Sequence, residues 1–487
     1  CCFIALVVGY FVYGKFIEKI AGVDPKRVTL AFTKQDGVDF LPLPTWKIFM
    51  IQFLNIAGLG PIFGAILGAK FGSASFLWIV LGSIFAGATH DFLSGFLSLR
   101  KDGASLPEIV GMYLGDRFKQ FMRAFTIVLM VLVGVVFVAG PAGLLASLTP
   151  ESLDTMFWIV VIFLYYVLAT LLPIDKIIGK VYPLFAIALL FMAVGILIML
   201  YVHHPDLPEF TDGFTNTHPQ GLPIFPIMFV SIACGAISGF HATQSPLMAR
   251  CLKSEKYACP VFYGAMITEG LVALVWATVA MWFFYDSPTP GYEQLAAAKG
   301  FHTSAPMVVT TVCQDWLGML GGVLAILGVV AAPITSGDTA FRSARLIVAS
   351  ALKLNQKPKM NRLYVCLPIF VVSIALLAWQ SSNPDGFNVI WQYFGWSNQT
   401  LSVFTLWAIT VYLVRKNKPY VITLLPALFM TGVCSTYLFI SKQAFGLQED
   451  LAYYLGILTV IIAMVWFVVW IRKYGEKERE IGETSTD

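Results

Sequence analysis

Charge is what this sequence has least of. Only 12% of its 487 residues are Asp, Glu, Lys or Arg, against 58% hydrophobic residues. A chain so composed cannot keep its apolar surface inside one soluble core. Several chemical signatures are also missing. No G-x-x-x-x-G-K-[ST] element is present to bind ATP, and neither G-x-S-x-G nor H-E-x-x-H appears to support a hydrolase. The eight cysteines make no C-x-x-C pair, so they read as small packing residues and not as a disulfide framework. His203, His204, His218 and His302 lack ligand-like spacing apart from one adjacent pair. No metal site, cofactor or catalytic residue is expected. The net charge of +4 carries no basic cluster that points to nucleic acid.

What is there is apolar length. Stretches near the roughly 20 residues needed to span a bilayer recur at 1–19, 48–69, 75–99, 124–146, 155–173, 182–202, 224–243, 260–285, 317–341, 363–380, 389–414, 420–440 and 451–471. The chain therefore reads as an all-α integral membrane protein with about 13 transmembrane helices. Cys1–Lys19 reads as a retained anchor, because no small-residue cleavage site follows it. Lys and Arg mark cytoplasmic loops. All but Lys70, Lys299 and Lys442 of the basic residues fall in alternate connections, in the tail or, as Lys15 and Lys19, at the inner end of the first span. That alternation places the N-terminus outside and the C-terminus in the cytoplasm, with Lys299 outside and Lys353 and Lys357 inside.

Two spans look badly made. Residues 51–64, IQFLNIAGLGPIFG, carry an Asn, several Gly and a Pro in a buried run, and residues 230–246, VSIACGAISGFHATQSP, have the same grammar. Gly costs roughly 1 kcal/mol and Pro roughly 3 kcal/mol inside a helix, so the break is read as the purpose of each segment. Five spans start at each break, over 48–202 and 224–414, and an odd number makes the two halves enter the membrane from opposite sides. Residues 1–47 and 420–487 remain as peripheral helices with a cytoplasmic loop and tail. Paired interruptions in an inverted repeat point to a midplane site in a secondary transporter; the alternative is close helix packing through small residues. Gly82, in an unbroken span, is expected to tolerate Ala.

Ionisable groups inside spans are few. His90, Asp91 and Glu269 read as gating or proton-relay residues, or as helix-end and interface polar groups. Asp338 lies among Thr335, Ser336 and Thr339, and with the carbonyl of Ala57 freed at the first break this set suits a small cation, Na⁺ or H⁺. A salt bridge from Asp338 to Arg342 at i+4 is the structural alternative. Asn55, Gly58, Gly60, Gly235, Ser238 and His241 in the breaks, with Asn398 and Gln399 in IWQYFGWSNQTLSVF, form the expected substrate-binding set. No Arg or Lys lies deep in a core span, so an anion would be met by half-helix N-termini, with His241 or His90 as a further donor.

The blocks NIAGLGPIFGAILGAKFG, IFAGATHDFLSGFLSLRKDGASLPEIVG, LLPIDKIIGKVYP, ACGAISGFHATQSP, SGDTAFRSARLIV and YFGWSNQTLSVFTLW together resemble the carbon starvation protein A family, over roughly residues 1–440. The resemblance implies a transporter of the amino acid–polyamine–organocation superfamily with a LeuT-type five-plus-five inverted repeat. It also implies uptake of peptides or pyruvate. Asn55, Gly58, Gly60, His90, Asp91, His241, Asp338 and Asn398 fall on its motif positions. The expected function is cation-coupled uptake of pyruvate or a short peptide by alternating access in the cell membrane. A uniporter or a transporter-like sensor of the same solute is the alternative; the oligomeric state is not readable.

Overall fold

In the computed structural model, residues 1–171, 178–203, 216–285, 305–356, 358–383 and 386–484 are described, and among them there is no strand. Lys176, Lys299, Lys357, His204 and His302 lie outside these residues. Among the described residues, seven helices are long and apolar enough to cross a membrane, or eight if one bent pair counts as a single span. Most of the expected stretches fall on helices, the stretch 224–243 being non-helical over 232–240. Those that fail the test of length and hydropathy are short, such as Thr155–Leu171, or are interrupted by Gly, Pro and polar residues.

The first helix, α1, runs from Cys2–Gly9 through a π-helical turn into Lys15–Ala21 and stops at Gly22, whose φ of 72° is the left-handed conformation that glycine adopts freely. The next span is split into α2 (Thr45–Ile56) and α3 (Gly60–Ala69), bent by 52°. Pro61 explains the split: it has no N–H, and its ring clashes with the carbonyl four residues back. That residue is Ala57, which leaves the helical region at ψ 55°. The Ala57 carbonyl is therefore freed from the helical ladder.

Helix α4 (Ala74–Arg100) is continuous but passes through a π-helical segment, Gly82–Gly87. A capping box between Ser105 and Glu108 starts α5 (Leu106–Leu114), and α6 (Asp116–Leu148), α7 (Thr155–Leu171) and α8 (Ile178–His203) follow. The second interrupted span begins at Ile224–Met228 and α9 (Phe229–Ser231). It loses helical geometry at Ile232 and resumes as α10 (His241–Ala249). Helices α11 (Gly264–Tyr285), α12 (Ala305–Ala351), α13 (Lys359–Ser382), α14 (Gly386–Arg415), α15 (Val421–Ile440) and α16 (Glu449–Thr484) complete the chain. Helix α12 corrects one boundary. The sequence places this span at 317–341, whereas helix starts at Ala305 and turns at Gly318, whose φ is 65°.

The breaks pack on each other in the interior, with α4, α11 and α14 around them. Residues 51–65 and 232–249 are buried throughout. The outer shell, by contrast, presents large apolar side chains such as Ile187, Phe191, Ile461 and Ile462, as a lipid-facing surface requires. At the end carrying the Arg-rich connections, residues 23–44 fold over the helix ends. Asp39 lies 3.5 Å from both Arg342 and Arg345, and Glu255 binds Arg100. Burial raises the Asp39 carboxyl, but the Arg345 and Arg342 guanidinium groups outweigh it and hold the group below the usual carboxylate range.

Candidate functional site

At the second break, Asn398 of α14 holds the start of α10. Its Oδ1 accepts from Phe240 N at 2.7 Å and Ser238 Oγ at 3.0 Å, its main-chain oxygen accepts from Gly239 N at 3.2 Å, and its Nδ2 faces Cys234 Sγ at 3.6 Å. Asn398 thus holds the two N–H groups just before α10, whose own first N–H groups, of His241, Ala242 and Thr243, bond to the carbonyls of Ser238, Gly239 and Phe240. In this conformation the first donors of α10 are taken by main-chain carbonyls and those just before it by Asn398, so a carboxylate received there would replace the amide oxygen on Phe240 N. Gln399 donates to Phe229 O at 3.1 Å, and its Oε1 has no partner.

His90, Asp91, His241 and Glu269 form one buried chain across α4, α10 and α11. Asp91 Oδ1 is 2.7 Å from His90 Nδ1, Asp91 Oδ2 is 2.7 Å from His241 Nδ1, and His241 Nε2 is 3.5 Å from Glu269 Oε2. All four side chains are fully buried. A carboxylate between two imidazole Nδ1 atoms accepts from both, which puts the protons on Nδ1 and leaves lone pairs on Nε2. In that tautomer the Nε2 atoms of His90 and His241 are acceptors, and the role of extra anion donor needs an imidazole protonated on both nitrogens.

Asp338 on α12 accepts from Tyr182 of α8 at 2.6 Å through Oδ2, while its Oδ1 has no partner. The surrounding hydroxyls give their protons to backbone carbonyls: Thr335 to Ala332, Thr339 to Thr335 and Ser336, and Ser336 to Ala332 and, at 3.0 Å, to Leu54 of α2. Their lone pairs face away from those carbonyls. Arg342, the i+4 alternative, is engaged with Asp39 and with Ala169 O at 2.9 Å. The Ser336 bond ties the Asp338 region to the helix that ends at Ala57.

Asn55, just before the first break, has no partner on either side-chain atom, although it is fully buried. Buried polar groups are nearly always bonded, which makes Asn55 a candidate polar contact at the first break. The glycines answer differently. A Cβ on Gly58 would meet the Phe137 ring at 2.9 Å, on Gly60 Cys234 at 2.2 Å, and on Gly235 Ala273 at 2.7 Å. Each gives space to a neighbouring side chain. Gly82 behaves alike, with Ala236 of the second break at 2.8 Å, so the expectation that it tolerates Ala is wrong.

Sequence reasoning missed Tyr182 as a partner of Asp338, Cys234 as a neighbour of His241 and Glu269, and the pairing of Gln52 with Ser245 at 3.4 Å. The only sequence signal for Cys234 was its place inside the break.

The profile for carbon starvation protein CstA matches residues 1–151, 144–317 and 291–437. The chain belongs to this family. Among CstA relatives, an uncharacterized membrane protein of Haemophilus influenzae is 43% identical over 346 residues, 61% of this chain and 93% of that one. Peptide transporter CstA of Bacillus subtilis is 26% identical, covering 95% and 94% of the two chains. Pyruvate/proton symporter BtsT of Escherichia coli is 29% identical over 58% of this chain and 49% of its own. In fold, the chain is similar to a manganese transporter of Eremococcus coleocola, with TM-score 0.54, 13% identity, and 90% and 99% of the chains covered. A Na⁺-coupled sialic acid symporter matches with TM-score 0.53, 14% identity, and 94% and 96% covered. The named CstA relatives and these structural neighbours are membrane transporters and not enzymes.

Proposed function

We propose that this CstA-family protein is a secondary active transporter that takes up a small carboxylate-bearing solute, pyruvate or a short peptide, by alternating access. The observation that carries the reading is the hold of Asn398 on Phe240 N and Gly239 N. A solute carboxylate oxygen would take the place of the amide oxygen on Phe240 N, just before α10, and Asn55, fully buried, stands just before the other break. The named substrates of the peptide transporter and pyruvate symporter relatives share that carboxylate.

The architecture behind this reading is about 13 membrane spans built on a LeuT-type five-plus-five inverted repeat, with breaks at 57–59 and 232–240, and peripheral helices at both ends. The N-terminus lies outside and the C-terminus in the cytoplasm of the cell membrane, in keeping with the alternation of Lys and Arg. Alternating access is then a rearrangement of helices around a fixed midplane site.

Uptake is coupled to a cation, and the coupling group is Asp338. Its unpartnered Oδ1 can take a proton, and one relative is named a proton symporter. The Ser336 bridge to Leu54 O links its state to the first broken helix. Asp91 holds His90 and His241 in place beside the solute path and gates it.

The test is uptake of pyruvate and of di- and tripeptides by proteoliposomes containing only this chain, under an inward H⁺ gradient, an inward Na⁺ gradient or neither. Accumulation driven by H⁺ is expected. Equilibration without accumulation would make it a uniporter, and binding without movement a sensor.

A further inference from the structure

Cys234, His241 and Glu269 come from three pieces of the fold: the non-helical break, the first residue of α10, and α11. Their sulfur, imidazole nitrogen and carboxylate oxygen all lie within 4.8 Å of one another, and all three residues are buried. The 3.5 Å between His241 Nε2 and Glu269 Oε2 is about the edge of a tetrahedron whose nitrogen and oxygen ligands stand roughly 2.1 Å from its centre.

Three further features point the same way. Asp91 accepts from His241 Nδ1 at 2.7 Å, which fixes the tautomer whose free lone pair is on Nε2, the second-sphere arrangement found behind metal-binding histidines. His241 Nε2 and both Glu269 oxygens have no hydrogen-bond partner although fully buried, a costly state unless a cation completes it. Asn398 Nδ2 lies 3.6 Å from Cys234 Sγ, a donor directed at the sulfur.

We propose that these three residues bind a divalent transition ion of the Zn²⁺ class, and that the bound ion pins the second broken span to α11 and so arrests transport. The mixed sulfur, nitrogen and oxygen donors select such an ion over Mg²⁺ or Ca²⁺, which take oxygen. Binding releases the Cys234 thiol proton and the proton of the buried Glu269 carboxyl to solvent. The thiolate and the carboxylate then balance the two positive charges of the ion, leaving the buried trio neutral. Pinning follows from position, because Cys234 also lies against Gly60 of the first break, so an ion on its sulfur fixes the place where the two breaks cross.

The experiment uses the full chain purified without a polyhistidine tag and titrated with Co²⁺ as a spectroscopic probe. A thiolate-to-cobalt absorption band is expected, displaced by Zn²⁺, lost in Cys234→Ser and kept in Cys434→Ser. Asp91→Asn should weaken binding by roughly 10- to 100-fold. In the unmutated protein, Zn²⁺ should also protect Cys234 from alkylation, read by peptide mass spectrometry, which removes dependence on how any variant folds. Absence of the band and of protection, or a band that survives Cys234→Ser, overturns the site. Zn²⁺ should inhibit uptake by the Cys434→Ser protein and spare Cys234→Ala; binding without inhibition overturns the arrest. The spectrum is read on protein in detergent, so it stands or falls independently of the transport reading.

Discussion

Gly60 lies directly on Cys234, so that a Cβ placed on Gly60 would stand 2.2 Å from the Cβ of Cys234. The two interrupted spans therefore touch at their interruptions, and a hydrogen in place of a side chain lets them do so. Gly60→Ala should cost about 1–3 kcal/mol or more through overpacking. The loss should appear as a lower melting temperature in detergent, and Cys234→Gly in the same chain should recover it. An unchanged melting temperature for Gly60→Ala would show that the breaks do not meet this closely. Gly82→Ala should be destabilising in the same assay, because its Cβ would crowd Ala236.

Asn398→Ala removes the acceptor of Phe240 N and Ser238 Oγ. A buried donor left without a partner costs about 1–3 kcal/mol, so the solute-free variant should melt lower than the wild type. Saturating pyruvate or peptide should then raise its melting temperature by more than it raises that of the wild type, since the carboxylate fills the vacant acceptor position. Equal ligand-induced shifts in both proteins would detach Asn398 from the solute site.

Asp338→Asn keeps the size of the side chain and a hydrogen bond with Tyr182 but cannot carry a proton. Accumulation under a gradient should be abolished, while exchange of labelled for unlabelled solute across the same proteoliposomes persists. Full accumulation by the variant would remove Asp338 from coupling.

His218 sits in the connection before the second break, 4.5 Å from the Phe71 ring, and burial together with the nearby Lys70 charge lowers its pKa to about 4. Its folded value lies below that of a free imidazole, so any stability it contributes is present above about pH 6.5 and is lost as pH falls through about 4. Modification by diethyl pyrocarbonate, which needs neutral imidazole, should therefore continue at His218 well below the pH at which exposed histidines stop reacting. A midpoint near 6.5, as in an unperturbed imidazole, would contradict this environment.

Orientation is checked with single cysteines. In a background without the native cysteines, position 442 should be labelled by an impermeant thiol reagent added to whole cells, and position 353 only after permeabilisation. Equal labelling from outside would overturn the placement of the termini.

The interruptions were legible because their cause is local. Pro61 cannot serve the carbonyl of Ala57, and that follows from covalent structure wherever the segment sits. Asn55, His90, Asp91, His241, Asp338 and Asn398 were legible as polar residues in apolar runs, which is a costly thing to maintain without a use. Their partners were not. His241 binds Asp91 across 150 positions and Asn398 binds Ser238 across 160, and no periodicity reports contacts between helices that far apart. The roles given to Gly58, Gly60, Gly82 and Gly235 depended on the neighbour above each glycine, which spacing does not reveal.

Composition, apolar run length, the Gly and Pro interruptions and the family blocks are properties of consecutive residues, and they determined that this is a helical membrane protein of the CstA family with two segments where helix is interrupted. Only the tertiary structure decided that the breaks press against each other, that Asp91 lies between two imidazoles, that Asn398 holds the two N–H groups just before α10, and that Cys234, His241 and Glu269 converge. The physical reason is that helices in a membrane satisfy their own backbones. The sequence can thus declare each helix separately, while the pairing of their few buried polar side chains depends on how the helices pack.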